Sequence, residues 1–263
     1  MRESRDVIRQ ITVAASAVFA VVGAFVGSGA AGGTPIQDAA GGALAADATL
    51  IAPAGPAFSV WSVIYLGLLA YAVWQFLPAQ SSAERHRRLG YPVAASLVLN
   101  GLWILSIQFD LLPLSVPIII ALLVVLVLAF LRALALPPLS RTDAALTDGT
   151  IGLYLGWVCV ATAANITALV VAAGFTGFGI PPEVWAVILL AVVAVIGIAL
   201  AWRGRGRIAP ALTLAWGLVW VAVGRLAGEP HSLATGIAAL TAAVLVLGAT
   251  IVVRMTRGRA LQR

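Results

Sequence analysis

Apolar residues lie along this chain in long continuous runs, and not in the alternating pattern of a half-buried strand. Each run has about 20 residues, the length at which an α-helix crosses a hydrocarbon layer about 30 Å thick. Helices are favoured because they satisfy their own backbone hydrogen bonds in lipid. The pattern predicts eight membrane-spanning helices, at residues 11–30, 57–78, 89–107, 113–134, 148–172, 184–202, 208–227 and 233–253.

Composition agrees with the pattern. The chain is 62% hydrophobic and 10% charged, and its mean hydropathy is +1.05. This balance excludes a water-soluble core of this size, so we expect an all-α polytopic membrane protein. The lone cysteine, Cys159, falls in the middle of a span, and we interpret it as a packing residue because no second cysteine could pair with it.

The arginines orient the predicted spans. All sixteen basic residues are arginine, and fifteen of them fall on one side, with Arg225 on the other. The positive-inside rule then predicts a multi-pass protein of the cell (plasma) membrane with both termini in the cytoplasm. The clusters are short, lie at span ends and contain no interleaved aromatics, which predicts contacts with anionic lipid and not with nucleic acid. The first span also resembles a signal peptide, but its long apolar run favours a retained helix.

The connections between spans offer few groups for chemistry. Residues 31–56 form the longest outer connection, which is either a flexible linker or a lid over the helix ends. Arg225, Glu229 and His231 predict an outer-surface cluster, and His86 is expected in a loop on the opposite side. No Asp, Glu, Arg or His falls clearly in mid-span, so the pattern predicts no proton relay or ion site. No metal-ligand or nucleophile–base arrangement is visible, and we expect no enzyme.

Large aromatics form a stripe at the start of the second span. At about 100° per residue, Phe58, Trp61 and Tyr65 fall within about 60° of one another on one helix face. A membrane span needs only apolar side chains, so stacked rings indicate something flat or bulky beside them. That partner is either a neighbouring helix or a ligand.

Two other spans carry polar and aromatic residues at helical spacing. Span three contains Asn100 and Trp103, one turn apart. An asparagine deep in lipid is costly without a partner, so we expect Asn100 and Asn165 to face the bundle interior. Small Ala161 leaves room on its face for a close helix or a ligand. Four positions of span five share that face: Tyr154, Trp157, Ala161 and Asn165.

The same residue types also have a purely structural interpretation. Tryptophan and tyrosine concentrate at membrane interfaces, and buried asparagine often only joins helices. Tyr71, Trp74 and Trp202 fall at cytoplasmic span ends and are predicted to be interface residues of this kind. Spacing alone leaves a ligand pocket and helix packing both open.

Three motifs resemble the TspO/MBR family, the tryptophan-rich sensory proteins, whose animal relatives are the translocator or peripheral benzodiazepine receptor proteins. The resemblance covers roughly residues 11–173. It implies a TspO-like five-helix bundle over 11–173. Hydropathy then leaves three additional transmembrane helices over 174–253. The charge pattern predicts a cytoplasmic N-terminus at 1–10 and a basic cytoplasmic tail at 254–263. The motifs are Pro53-x-Gly55-x-x-Phe58-x-Val60-Trp61-x-x-Ile64-Tyr65, Leu97-x-Leu99-Asn100-x-x-Trp103 and Tyr154-Leu155-x-Trp157-x-x-x-Ala161-x-x-x-Asn165.

The resemblance also implies a function. It suggests an intramembrane aromatic pocket for a hydrophobic planar ligand, porphyrin/haem or sterol-like, used in sensing or transport, and a homodimer. The chain itself implies no firm cofactor beyond such a bound porphyrin. A secondary transporter of a small amphipathic molecule is the alternative. Matching by motif, the ligand-binding candidates are Trp61, Tyr65, Asn100, Trp103, Tyr154, Trp157, Ala161 and Asn165.

The chain departs from the family pattern at several positions. Gly101 stands where members usually have tryptophan, and Val160 where they usually have phenylalanine. The stretch 116–130 lacks the acidic residue that is common in the fourth helix. These changes bear on which ligand is bound more than on the expected fold.

Overall fold

The computed structural model describes residues 3–30 and 32–260. In these ranges eight helices are long and apolar enough to cross a membrane, and no strand forms. The predicted all-α polytopic fold with eight spans is therefore confirmed. The helices are α1 (Ser4–Gly27), α2 (Val60–Trp74), α3 (Glu84–Gln108), α4 (Leu112–Ala135), α5 (Thr150–Ala172), α6 (Pro182–Arg203), α7 (Ile208–Ala227) and α8 (Leu233–Ala260).

Several helices extend beyond the predicted spans, because hydropathy falls at charged residues while the helix continues. α1 begins at Ser4 and not at 11. A capping box forms at this start, in which the Asp6 carboxylate accepts the Glu3 N–H at 3.0 Å. α3 begins at Glu84 and not at 89, so the prediction that His86 lies in a loop is wrong. Residues 254–260 of the predicted basic tail continue α8. Residues 1–2 and 261–263 lie outside the described ranges.

The chain forms two compact units. Unit 1 comprises Met1–Ile36 and Trp61–Leu155, and unit 2 comprises Gln37–Val60 and Gly156–Arg263. The division passes between Leu155 and Gly156 inside α5. The sequence-based domain boundary at residue 173 stays a prediction.

In unit 1, α3 packs against both α1 and α4. Its buried positions include Leu97 and Ile107. α1 and α3 approach closely at two glycines, since a Cβ on Gly23 would lie 3.5 Å from the Gly101 Cα. A Cβ on Gly101 would overlap the Phe19 ring. A residue larger than glycine at position 101 would therefore require the Phe19 side chain to move.

In unit 2, α8 packs against α6 and α7. Close contact again depends on glycine: a Cβ on Gly236 would meet the Leu226 side chain, and one on Gly197 would overlap Val246. Val246 itself is completely buried. Small residues allow close helix approach where lipid provides little hydrophobic force between helices.

Large apolar side chains remain exposed on the outside of both units. Leu66 and Val73 of α2 are more than two-thirds exposed, as is Val244 of α8. Soluble proteins rarely expose contiguous apolar surface of this kind, whereas membrane helices present it to the hydrocarbon.

Candidate functional site

Three aromatic rings and one amide meet in unit 1. The Trp61 ring lies 5.5 Å from the Tyr65 ring on α2 and 5.7 Å from the Tyr154 ring on α5, measured between centroids. The Asn100 Nδ2 donates a hydrogen bond to the Tyr65 hydroxyl. These four residues form the unit 1 aromatic cluster. They come from three helices, so the sequence motifs do converge in space.

The polar atoms of this cluster are buried and only partly satisfied. Asn100 is 1% exposed, and its Oδ1 has no hydrogen-bond partner among the residues described. The Tyr154 hydroxyl donates to the Ser96 carbonyl oxygen at 3.3 Å. Trp61 and Tyr65 are half-buried. The cluster therefore combines accessible ring surface with one unused acceptor.

Trp103, the fifth predicted site residue in unit 1, lies on α3 one turn after Asn100 and is buried. The other three predicted residues are in unit 2, on one face of α5. Trp157 and Asn165 are each 1% exposed, and Ala161 between them is half-buried. The expectation that Asn100 and Asn165 are buried in the bundle is thus confirmed.

The predicted single stripe of Phe58, Trp61 and Tyr65 is wrong in one respect. Gly55–Ser59 forms a 3₁₀ turn before α2 begins, so Phe58 lies outside the α-helix. Its ring packs edge-on against Trp157 with centroids 5.7 Å apart, and not in the unit 1 aromatic cluster. A 3₁₀ turn has 3.0 residues per turn instead of 3.6, and the angular estimate for the stripe assumed a continuous α-helix.

The end of the long outer connection is held along α7. The Trp216 Nε1 donates to the Ala57 carbonyl oxygen at 2.9 Å, and the Ala54 N–H donates to the Trp220 carbonyl oxygen at 3.1 Å. Because residue numbers rise along one segment as they fall along the other, residues 46–57 run antiparallel to α7. We call them the outer strap. A flexible linker is therefore wrong for these residues, while a lid function stays a prediction.

Comparison with protein families identifies the chain. The profile of the family described as TSPO-like protein matches residues 12–252. The chain belongs to the TSPO-like family. The match extends through α6 and α7 into α8, beyond the three motifs. Comparisons with curated proteins and with solved structures gave no match.

The sequence predicted that Arg225 belongs to an outer-surface cluster. For this TSPO-like protein that prediction is wrong. Arg225 is completely buried, and it donates to the carbonyl oxygens of Thr49 at 3.2 Å, Ala46 at 2.6 Å and Glu229 at 3.0 Å. Two of these acceptors belong to the outer strap. The Glu229 carboxylate accepts the backbone N–H of exposed His231 at 3.1 Å. Arg225 thus attaches the strap to the end of α7.

The TSPO-like fold also contains a buried ionic network that sequence reasoning missed. Arg85 Nε lies 3.2 Å from Asp143 Oδ2, and the Arg85 Nη2 also pairs with Asp148. His86 Nε2 lies 3.6 Å from Asp143 Oδ1. All four residues are buried. We call Arg85, His86, Asp143 and Asp148 the buried ionic network, and it buries charges at helix ends that the pattern predicted to be solvated.

Asp143 holds the connection between α4 and α5 as well as the ion pairs. Its carboxylate accepts the Leu139 N–H at 2.9 Å and the Thr147 hydroxyl at 2.8 Å. The segment Ala144–Gly149 that follows is a π-helical turn leading into α5. Such turns are rare and occur frequently at functional sites. The signal in the sequence was the pair Asp143 and Asp148 at the start of a span, but hydropathy assigned Asp143 to a loop and Asp148 to the edge of the span.

A second group of charges lies beside the network. Arg87 donates to Asp6 through two bonds of 2.8 Å, and the Arg9 Nη2 donates to the Ser81 carbonyl oxygen at 2.8 Å. Tyr71 was predicted to be an interface residue, but it is 1% exposed and its ring lies 5.7 Å from that of His86. The prediction for Tyr71 is therefore wrong. Trp202, which is 73% exposed, has the position expected of an interface residue.

Within the described residues, no group of three His, Cys, Asp or Glu side chains is placed to hold a metal ion. Cys159 is buried, as expected of a packing residue.

Proposed function

We propose that this TSPO-like membrane protein binds a hydrophobic planar ligand, porphyrin/haem or sterol-like, and senses or moves it without catalysing a reaction. The observation that supports this most directly is the unit 1 aromatic cluster. Tryptophan and tyrosine rings supply large surfaces on which a flat ligand can stack. Apolar sites with a few placed polar groups are the usual form of small-molecule pockets.

The unused Asn100 oxygen adds a polar requirement. A buried acceptor without a partner costs about 1–3 kcal/mol. A ligand with an N–H or O–H group at its edge would recover that cost on binding. This favours a ligand that is mostly apolar but has at least one hydrogen-bond donor. Trp157, Ala161 and Asn165 stay candidate ligand-binding residues by resemblance to the family.

The proposal is tested by quenching of tryptophan fluorescence in purified protein on addition of protoporphyrin IX. Saturable quenching is expected in the wild type. Trp61→Ala removes a ring whose stacking is worth about 1–1.5 kcal/mol, so its affinity should fall about tenfold. Trp157→Ala tests the unit 2 candidate in the same way.

Trp202→Ala is the matched control, because it also removes one tryptophan but from an exposed position at the end of α6. It should retain wild-type affinity. Saturable quenching with unchanged affinity in both Trp61→Ala and Trp157→Ala would contradict the proposed pocket. No saturable quenching in the wild type would contradict porphyrin as the ligand.

A secondary transporter is the second candidate, and the buried ionic network favours it. Ionisable residues within membrane helices are rare, and many of them mark ion or proton pathways. Flux of protoporphyrin IX into proteoliposomes would separate a carrier from a sensor. For either function we infer a plasma-membrane protein with both termini in the cytoplasm, contacts with anionic lipid, and a homodimer.

A further inference from the structure

His86 is surrounded by polar and charged groups from several elements of unit 1. It lies in the first turn of α3 and is completely buried. α1 contributes Arg9 and α2 contributes Tyr71, and His86 follows Arg85 directly on α3. The turn before α3 provides Gln80, and the connection before α5 provides Asp143.

The hydrogen bonds of the imidazole leave one nitrogen unused. His86 Nε2 lies 2.9 Å from Gln80 Oε1, an acceptor, so Nε2 carries the proton of the neutral ring. Nδ1 then has a free lone pair, and it has no hydrogen-bond partner within residues 3–30 and 32–260. The hydroxyl of Tyr71, whose ring packs on the imidazole, is also without a partner there. A buried basic nitrogen without a donor is the atom that an incoming proton would occupy.

The charges around His86 are balanced only while the ring is neutral. The described ion pairs at this end of unit 1 involve five arginines and five carboxylates, at distances of 2.7–4.0 Å apart from the shorter Arg85–Asp148 pair: Arg5, Arg9, Arg85, Arg87, Arg88, Glu3, Asp6, Glu84, Asp143 and Asp148. A proton on His86 therefore adds one uncompensated positive charge. Asp143 attracts it, while Arg9 and Arg85 oppose it.

We propose that His86 is a buried proton-binding site of this protein. A hydronium ion transfers one proton to Nδ1: the N–H bond forms, an O–H bond of hydronium breaks, and water and the imidazolium result. The imidazolium then competes with Arg85 for Asp143, which also holds Leu139 and Thr147 before α5. Proton uptake thus changes the attachment of the segment that leads into α5.

The proton site shares its helices with the unit 1 aromatic cluster. α2 carries Tyr71 together with Trp61 and Tyr65, and α3 carries His86 together with Asn100. A change in their packing at one end is transmitted along rigid helices to the rings. Proton binding itself does not depend on any ligand, whereas its coupling to ligand movement rests on the proposed function.

Histidine-selective NMR of the full-length protein tests proton binding without a ligand. The chain has two histidines, so two imidazole signals are expected, and His231→Gln assigns them by removing the exposed one. Spectra are recorded from about pH 3 to 8, and the His86 signal should show uptake of a proton within that range. Asp143→Asn should move its curve to lower pH by about one unit, because it removes the attracting charge.

Arg9→Gln should move the same curve to higher pH, because it removes an opposing charge. This variant keeps the test decisive if Asp143→Asn does not fold, since Asp143 also supports the α4–α5 connection. A His86 signal that stays in one protonation state over the whole range, or that titrates identically in the wild type and both charge variants, would overturn the proposal.

Coupling is measured in proteoliposomes loaded with protoporphyrin IX. A pH gradient should change the rate of protoporphyrin flux at least about threefold in the wild type, and His86→Gln should abolish that change while retaining fluorescence quenching. The control His231→Gln should behave as the wild type does. Absence of saturable quenching in the wild type would contradict the proposed function. It would leave the NMR result on proton binding unaffected. Flux without any pH dependence in the wild type would overturn the coupling.

Discussion

At the level of single residues, the arginines of this protein differ in what neutralises them. Arg87 pairs with Asp6 at 2.8 Å, and Arg88 pairs with Glu84 at 2.7 Å. Arg225 has no carboxylate within ion-pair distance in the described part of the chain, and its donors bind three backbone carbonyls instead. A buried guanidinium can satisfy several acceptors at once because it presents five N–H groups in a fixed plane. Arg225 therefore acts as a structural connector.

Arg225→Gln is expected to loosen the outer strap. The shorter amide cannot reach all three carbonyls, so buried acceptors lose their donors at a cost of about 1–3 kcal/mol. We expect a lower Tm and faster hydrogen exchange in residues 46–54. Arg203→Gln is the control, because that side chain is exposed in the last turn of α6. Equal exchange rates for the strap in both variants would show that Arg225 does not hold it.

At the level of helices, α5 and α7 are in close contact at Gly156. A Cβ on Gly156 would overlap the Pro210 carbonyl, lying 2.8 Å from its carbon, and would also meet the Thr213 hydroxyl. The obstacle at Pro210 is backbone, so it cannot move aside as the end of a flexible side chain can. Gly156→Ala should therefore destabilise the protein by about 1–3 kcal/mol.

Gly248→Ala is the matched comparison for that substitution. Gly248 also lies within a helix, but a Cβ there would meet nothing within 4 Å. Replacing a helical glycine by alanine at an open position is favourable by up to about 1 kcal/mol. Thermal unfolding of both variants in the same detergent should give Tm changes of opposite sign. Two similar changes would mean that α5 and α7 are not in contact at Gly156.

The helices were predictable from sequence because hydropathy alone determines which segments can cross a membrane. The ends of the helices were less predictable. Arg85 and His86 lower the hydropathy enough to end the predicted span, but α3 continues through them. The displacement of Phe58 depends on a 3₁₀ turn that periodicity does not reveal. The motifs located the convergence of Trp61, Tyr65, Asn100 and Tyr154, which periodicity alone left open.

The buried ionic network could not be inferred from the pattern of the chain. Its members, Arg85 and Asp143 among them, are far apart in sequence, and each by itself resembles a solvated residue at a span end. These residues can be buried because they are paired, since an isolated buried charge is far more costly in free energy than a paired one. Pairing is a property of the tertiary structure. The absence of mid-span charge in the pattern was therefore a poor guide to buried charge in the fold.

At the level of the whole molecule, the family match extends from α1 into α8, and the distribution of arginines predicts how these eight helices are oriented. The match continues to residue 252, so the last three helices belong to the segment that defines this TSPO-like protein. An even number of spans places both termini on one side. The distribution of fifteen arginines against one then indicates which side that is.

Labelling of single cysteines in intact cells tests this topology. In a Cys159→Ala background, a membrane-impermeant maleimide should label Asp38→Cys and Thr176→Cys, which are exposed positions in connections predicted to face outward. Ala79→Cys, exposed in the turn between α2 and α3, should react only after the cells are permeabilised. Asp38 follows α1, Ala79 follows α2 and Thr176 follows α5. The three sites therefore test the orientation, the single crossing by α2 and the even number of crossings between Asp38 and Thr176. Labelling of Ala79→Cys in intact cells would reverse the orientation, and different results for Asp38→Cys and Thr176→Cys would refute the number of crossings between them.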